Sequence, residues 1–518
     1  MSRRAIKCRV TSEKSALTEP AGDARKRLQD IVSKALGGNF AEAEAGARAL
    51  LDKPVAAQAW SALSEIYANT QRWTEARMAL DVALQQSPDS RDLRQRRALL
   101  LEKQGRDDEA LTELSTLAAE AMDSPQLLVH LGRALLFAGR AVEAITLLEG
   151  GIERWPTDAH VHRLLAHAYW QRGDGESCTR ELERAIARFP VELPLRLVAA
   201  DVQRNAGNPR KALELLQPGV DIAPNHPALL TSMGVLLDLL DRPDEALPLL
   251  RAAVASAPNS GQAKRNLITT LLRVSAHDEA ATLCDELLAG SPDDQLLIAH
   301  RATAYRQADD ARYAWLHDYD RLVRAYRLTP PPEFAGIAGF NTQFANRLEL
   351  LHRAQRHPLG QSLFGGTQTD RNLPADDPLV AQFLAMIDAP IRDYISRLRA
   401  NDREHPADRR VTRDYRIAGS WSVQLKPGGF HTSHVHPQGW ISSAYYVELP
   451  AASPGDAARS GWLKFGEVPS SALEWPANHF IEPEPGMLVL FPSYLWHGTV
   501  PFENGGRRLT AAFDVVPA

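Results

Sequence analysis

The strongest constraint on how this chain can fold is a spacing. Small residues recur at Ala43, Ala76, Ala110, Ala144, Cys178, Ala212, Ala246 and Ala280, and after the first step every interval is 34 residues. Twelve residues after most of them stands a proline: Pro88, Pro156, Pro190, Pro224, Pro258 and Pro292. A small side chain suits the point where two helices press together, and a proline the point where the second helix must stop. A period of this length describes units that bury their apolar faces only by stacking on one another. The register predicts about eight helix pairs over residues 23–300, behind a polar, poorly ordered lead-in at residues 1–22.

One unit, WSALSEIYANTQRWTEARMALDVALQQSP, places Trp60, Leu63 and Tyr67 at the spacing of the tetratricopeptide signature. By these residues the segment 23–300 resembles a tetratricopeptide array. The resemblance implies an all-α superhelix whose concave face takes a protein or peptide; scaffolding or self-association is the alternative. Repeat 90–123 fits worst, with Arg97 where its neighbours carry Leu131 and Leu165, and Met122 where they carry proline.

At 518 residues the chain needs two or three domains. Its net charge of −5 argues against a general nucleic-acid binder. Cys8, Cys178 and Cys284 are too scattered for a disulfide framework or a cysteine zinc site. With no apolar leader and no run of membrane-spanning length, the expectation is a soluble, cytoplasmic protein with no membrane partner. Oligomeric state is not legible.

The register fades after residue 300. In 301–410, RYAWLHDYDRLVRAYRL and NRLELLHRAQRH read as helices and FGGTQTDRNLPADDP as loop. DPLVAQFLAMIDAPIRDYISRLRAN reads as a long amphipathic helix with Leu379, Phe383, Ile387 and Ile391 on one face. This segment is expected to support the domain that follows. From 411 to 518, short runs rich in aromatic and β-branched residues alternate with Gly/Pro turns, as in an antiparallel sandwich or barrel, and their number suffices for a jelly roll.

The chemistry gathers in GGFHTSHVHPQG. His434 and His436 stand two apart, so a strand would turn both imidazoles to one face. His497 ends a later strand-like run and can join them as a metal cage. Arg508 and Thr510 are again two apart on the last strand, and an inward arginine is costly unless it meets an anion. His431, three residues before His434, reads as a bystander or pocket residue, and His405 and His479 read as structural.

The text HVHPQGWISSAYYVELP, GWLKFGE, PGMLVLFPSYLWHGTVPF and RRLTAAF resembles the 2-oxoglutarate- and Fe(II)-dependent oxygenases. The resemblance implies a double-stranded β-helix, Fe(II), 2-oxoglutarate and O2. It assigns His434 and His497 to the two histidine positions of the metal motif and Arg508 and Thr510 to the far carboxylate of 2-oxoglutarate. His436 departs from the pattern, standing where the family keeps Asp or Glu. It either ligates as a third histidine or leaves the iron to two protein ligands and water. Tyr446 is a candidate cosubstrate contact; it shares with Tyr445 and Trp496 the alternative of packing between sheets.

The whole reads as a multidomain α + β protein: a tetratricopeptide superhelix, supporting helices, then a jelly roll. The activity expected is a dioxygenase that hydroxylates a protein or peptide side chain held by the repeats. Three other readings stay open: a non-catalytic adaptor with a degenerate oxygenase domain, an oxygenase of small molecules with or without halogenating chemistry, and a zinc or cupin-type isomerase.

Overall fold

In the computed structural model, the described residues are 19–36, 39–70, 72–369, 372–399, 402–450, 459–469, 475–503 and 505–518. Residues 1–18 of the expected lead-in, Cys8 among them, lie outside this set, and a helix starts inside the lead-in at Glu19. The chain divides into two compact units, residues 1–155 and 156–518.

The first unit is four helix pairs, from Glu19–Leu36 with Phe40–Arg48 to Pro125–Phe137 with Ala141–Arg154. The phased alanines Ala43, Ala76, Ala110 and Ala144 are completely buried where the helices cross, so the period is a packing period. The ill-fitting repeat forms both its helices, Arg91–Lys103 and Asp107–Glu120. Arg97 reaches Glu113 on the partner helix, which Arg94 also binds at 2.7 Å, so an ion-pair cluster replaces the leucine contact.

The second unit continues with four more pairs, from Ala159–Gln171 to His277–Gly290, and a further helix, Gln295–Gln307. Among the described residues its nine strands are β1 (Arg324–Arg327), β2 (Leu363–Gln368), β3 (Tyr415–His431), β4 (Ile441–Glu448), β5 (Leu463–Phe465), β6 (His479–Ile481), β7 (Met487–Pro492), β8 (His497–Thr499) and β9 (Arg508–Pro517). They form a six-stranded sheet in the order β1-β7-β4-β9-β3-β2 and a three-stranded sheet in the order β6-β5-β8, with every pairing antiparallel. From β4 onward the chain passes back and forth between the two sheets.

The amphipathic helix is present as Pro378–Arg397, started by the Asp377 carboxylate accepting from the Leu379 and Val380 N–H groups. Its face of Val380, Phe383, Ile387 and Ile391 is buried in one core with the large sheet, Phe383 lying 5.1 Å from Tyr445. Three expectations for 301–410 fail. NRLELLHRAQRH is helical only as far as Glu349, the end of a helix that starts at Gly336, because the chain beyond it bonds to Gln171 and Trp170 instead of continuing its own turns. RYAWLHDYDRLVRAYRL breaks after Tyr319–Leu322, because Arg324–Arg327 extends the large sheet beside β7. The expected loop FGGTQ is strand β2: Gly366 passes so close to Gln424 O on β3 that any side chain would collide, and Gly365 sits at φ +66° over Gly429. Glycines that read as a turn are there for strand contact.

The path into β2 closes a loop in space. After the helix Gly336–Glu349 the chain runs over the repeats. Gln355 N–H donates to Gln171 O (3.0 Å), the Trp170 indole donates to His357 O (2.7 Å), and the Arg356 guanidinium covers the Trp170 ring at 4.7 Å. At the other end of these repeats, Trp496 donates its indole N–H to Thr303 Oγ1 at 3.1 Å, and Arg306 binds Gly466 O at 2.7 Å.

Candidate metal and anion site

β3 ends at His431 and the chain crosses to the small sheet. There His434 pairs through its main chain with His497, His434 N–H on His497 O at 2.9 Å and the reverse at 3.1 Å. This bridge, rather than a regular strand, sets the two rings 4.3 Å apart. His436 follows, held by its N–H on Ser493 O, with its ring 5.2 Å from that of His434 and 5.1 Å from that of His497. One ligating atom from each of the three lies within 4.8 Å of the others.

Each ring is fixed by an acceptor at Nδ1. His434 Nδ1 meets Thr432 O at 2.9 Å, His497 Nδ1 meets Leu495 O at 2.8 Å, and His436 Nδ1 meets Asp514 Oδ1 at 2.6 Å. Carbonyl and carboxylate oxygens accept, so each Nδ1 donates, which leaves Nε2 as the nitrogen available to a metal. Burial, reinforced by the neighbouring imidazoles, lowers the pKa of His434 to about 3 and pushes that of His497 well below its ordinary value. Neutral imidazoles oriented from behind are the form in which histidine binds a metal. Nothing in this donor set is at odds with one divalent ion.

His431 lies beside the cluster, its ring 5.4 Å from His434 and its Nδ1 3.1 Å from Ser362 Oγ, but it is outside the close trio. The three rings open on a small cavity of about 60 Å³ that Arg508 and Thr510 also line. Arg508 is 3% exposed, and its Nε has no hydrogen-bond partner among the described residues. Its guanidinium stands 5.0 Å from the Tyr446 ring centroid, and burial lowers its pKa. A buried guanidinium without a carboxylate is unstable unless a ligand brings the anion.

The other candidates separate cleanly. Tyr446 touches Arg508; Tyr445 points the opposite way and donates to Asn341 Oδ1 at 2.6 Å, inside the core. Trp496 packs on the Gln295–Gln307 helix. His405 is fully buried with Asp408 and Arg321, and His479 stacks on Tyr319, so both are structural. Cys178 and Cys284 are buried free thiols whose pKa values burial raises to about 11 and about 12.

Sequence reasoning missed Asp514 and the serines behind it. Ser442 Oγ donates to Asp514 Oδ1 at 2.7 Å and lies 2.9 Å from Ser493 Oγ. A signal was available, since Arg508, Thr510, Ala512 and Asp514 fall on one face of β9 by simple alternation.

Residues 419–514 match the family model described as "Putative 2OG-Fe(II) oxygenase", and residues 37–91, 70–136, 135–200 and 235–295 match tetratricopeptide-repeat models. The chain joins tetratricopeptide repeats to an oxygenase-family domain. That family implies Fe(II), 2-oxoglutarate and O2, and tetratricopeptide repeats generally mediate protein–protein contacts. Among solved structures, a tetratricopeptide repeat protein from Parabacteroides merdae is 17% identical, covers 48% of this chain and 99% of its own, and has a TM-score of 0.34. A thermophilic TPR protein of Thermus thermophilus is 24% identical over 35% of this chain and 100% of its own, with a TM-score of 0.29. No curated protein matches the chain. Among the described residues no helix is long and apolar enough to cross a membrane.

Proposed function

We propose that this protein is a 2-oxoglutarate- and Fe(II)-dependent dioxygenase that hydroxylates a side chain of a protein or peptide recruited by its repeats. One observation carries the reading: three imidazoles with Nδ1 tied back share a cavity with a buried arginine whose Nε has no partner among the described residues. In this reading residues 411–518 form a double-stranded β-helix, supported by the return of the chain from the small sheet to the large one at β7 and again at β9, and residues 301–410 brace it.

His434, His436 and His497 would hold the iron through Nε2, His436 replacing the carboxylate of the usual triad. When bound, the metal supplies dioxygen activation coupled to oxidative decarboxylation of 2-oxoglutarate. Arg508 would pair with the far carboxylate of that cosubstrate, with the Thr510 hydroxyl beside it on the same strand face. Trp421 and Phe491 also line the cavity and would give the cosubstrate aromatic walls. Preference for a macromolecular substrate is supported by the tetratricopeptide repeats carried on the same chain.

The test is anaerobic loading with Fe(II), addition of 2-oxoglutarate and oxygen, and measurement of succinate with and without candidate peptides. Succinate that disappears in His434→Ala and His497→Ala is expected. Its absence throughout, together with no iron binding that depends on these histidines, would leave an adaptor with an inactive domain.

A further inference from the structure

The motif of the oxygenase-family domain ordinarily includes a carboxylate, and here imidazole takes its place. We infer that the missing negative charge has moved one residue outward: Asp514 is a positioning residue that orients and polarises His436 as a metal ligand. The inference rests on the metal centre proposed above and concerns a residue that centre does not contain.

The geometry differs among the three histidines. His434 and His497 are held from behind by neutral backbone carbonyls, Thr432 O and Leu495 O. His436 alone is held by a carboxylate, at the shorter distance of 2.6 Å. An ionised acceptor on Nδ1–H shortens the bond, fixes the tautomer and raises the donor strength of Nε2. Three neutral imidazoles would leave a divalent ion without the single anionic ligand of the two-histidine, one-carboxylate arrangement. Through His436 the Asp514 charge reaches the metal by one hydrogen bond rather than by direct ligation.

The rest of the surroundings serve that carboxylate. Asp514 faces Ser442 across the β4–β9 ladder, and Ser442 Oγ donates to the same Oδ1 that accepts from His436. Ser493 Oγ backs Ser442, and Ser493 O takes the His436 N–H, so one small group of residues fixes both the ring and its acceptor. Gly439 passes so close to Ser493 that a side chain there would displace it. No arginine or lysine among the described residues competes for Asp514, whose Oδ1 accepts from His436 and Ser442.

The test uses the full chain with Co(II), read by calorimetry and by the visible absorption of the bound ion. Asp514→Asn is nearly isosteric and removes only the charge. Expected is a loss of Co(II) affinity of about 10- to 100-fold with a shifted spectrum, and no further loss when His436→Ala is already present. Unchanged affinity and spectrum, or an equal loss with and without His436, would overturn the inference. Should Asp514→Asn fail to fold, Asp514→Ser is read by the same two measurements against the same outcomes. A parent chain that binds no Co(II), or binds it independently of His434 and His497, would instead remove the metal centre itself.

Discussion

Arg508 offers the sharpest test, because it ties the cosubstrate to a measurable cost in the empty protein. Its side chain is buried, its Nε lacks a partner among the described residues, and burial works against its charge. A carboxylate at about 4 Å gains about 4 kcal/mol at an effective dielectric of 20, and charge-assisted hydrogen bonds are worth about 1.5–3 kcal/mol each after desolvation. Replacing Arg508 by methionine, which keeps the apolar stem without the charge, should therefore weaken 2-oxoglutarate by about 100-fold, or about 2.7 kcal/mol. With 2-oxoglutarate at about 100 times the parent Kd, ligand stabilises the parent by about 2.7 kcal/mol and Arg508→Met by about 0.4 kcal/mol. Without ligand the order reverses: losing an unpaired buried charge should leave the melting temperature of Arg508→Met equal to or above that of the parent. Thermal unfolding with Co(II) bound, in the presence and absence of 2-oxoglutarate, reads both effects. A variant that melts several degrees lower without ligand, yet keeps the full ligand-induced shift, would refute the assignment and make Arg508 a structural cation.

Other outcomes follow from the same contacts. Thr303→Val should cost about 1–3 kcal/mol in urea unfolding, since it leaves the buried Trp496 indole N–H unbonded next to His497; an unchanged midpoint would show that the contact carries no energy. Gly366→Ala should part β2 from β3, lowering both stability and soluble yield, because its Cβ would enter the space of Gln424 O. Burial holds the pKa of His300 at about 4 and that of His317 at about 3 in the folded chain, below the ordinary 6.5. The unfolded chain thus takes up more protons below pH 6.5, and stability should be full above that pH. It should fall by about 1.4 kcal/mol per pH unit for each histidine as pH drops toward 4. Unfolding midpoints at pH 7, 6 and 5 that do not decline would contradict this.

The parts legible in the sequence were those with local repetition. A 34-residue phase exposes the helix pairs because each unit repeats the same contact, and even the repeat with Arg97 follows it once Glu113 meets the charge. The histidines stood out because their chemistry is rare and their spacing short. What escaped were features made by partners far along the chain. Arg324–Arg327 is a strand only because β7 has a free edge, and Leu363–Gln368 hides its strand behind glycines that β3 requires. Asp514 lies 78 residues from the histidine it supports and looks like an ordinary polar residue near the end of a strand.

The run of chain over Trp170 has a consequence for how such an array can change over generations. Stacked repeats are ordinarily free to gain or lose a unit, because each touches only its neighbours. Between Trp170 and Thr303 that freedom is gone. One end of the stretch is fastened by Gln355 and His357, the other by Trp496, and both fasteners belong to the same β-bearing body. Duplicating or deleting one helix pair there would shift one end by about 10 Å for each helix layer, beyond the reach of any of these hydrogen bonds. The closed loop acts as a ruler: it fixes the number of repeats that can stand between its two ends.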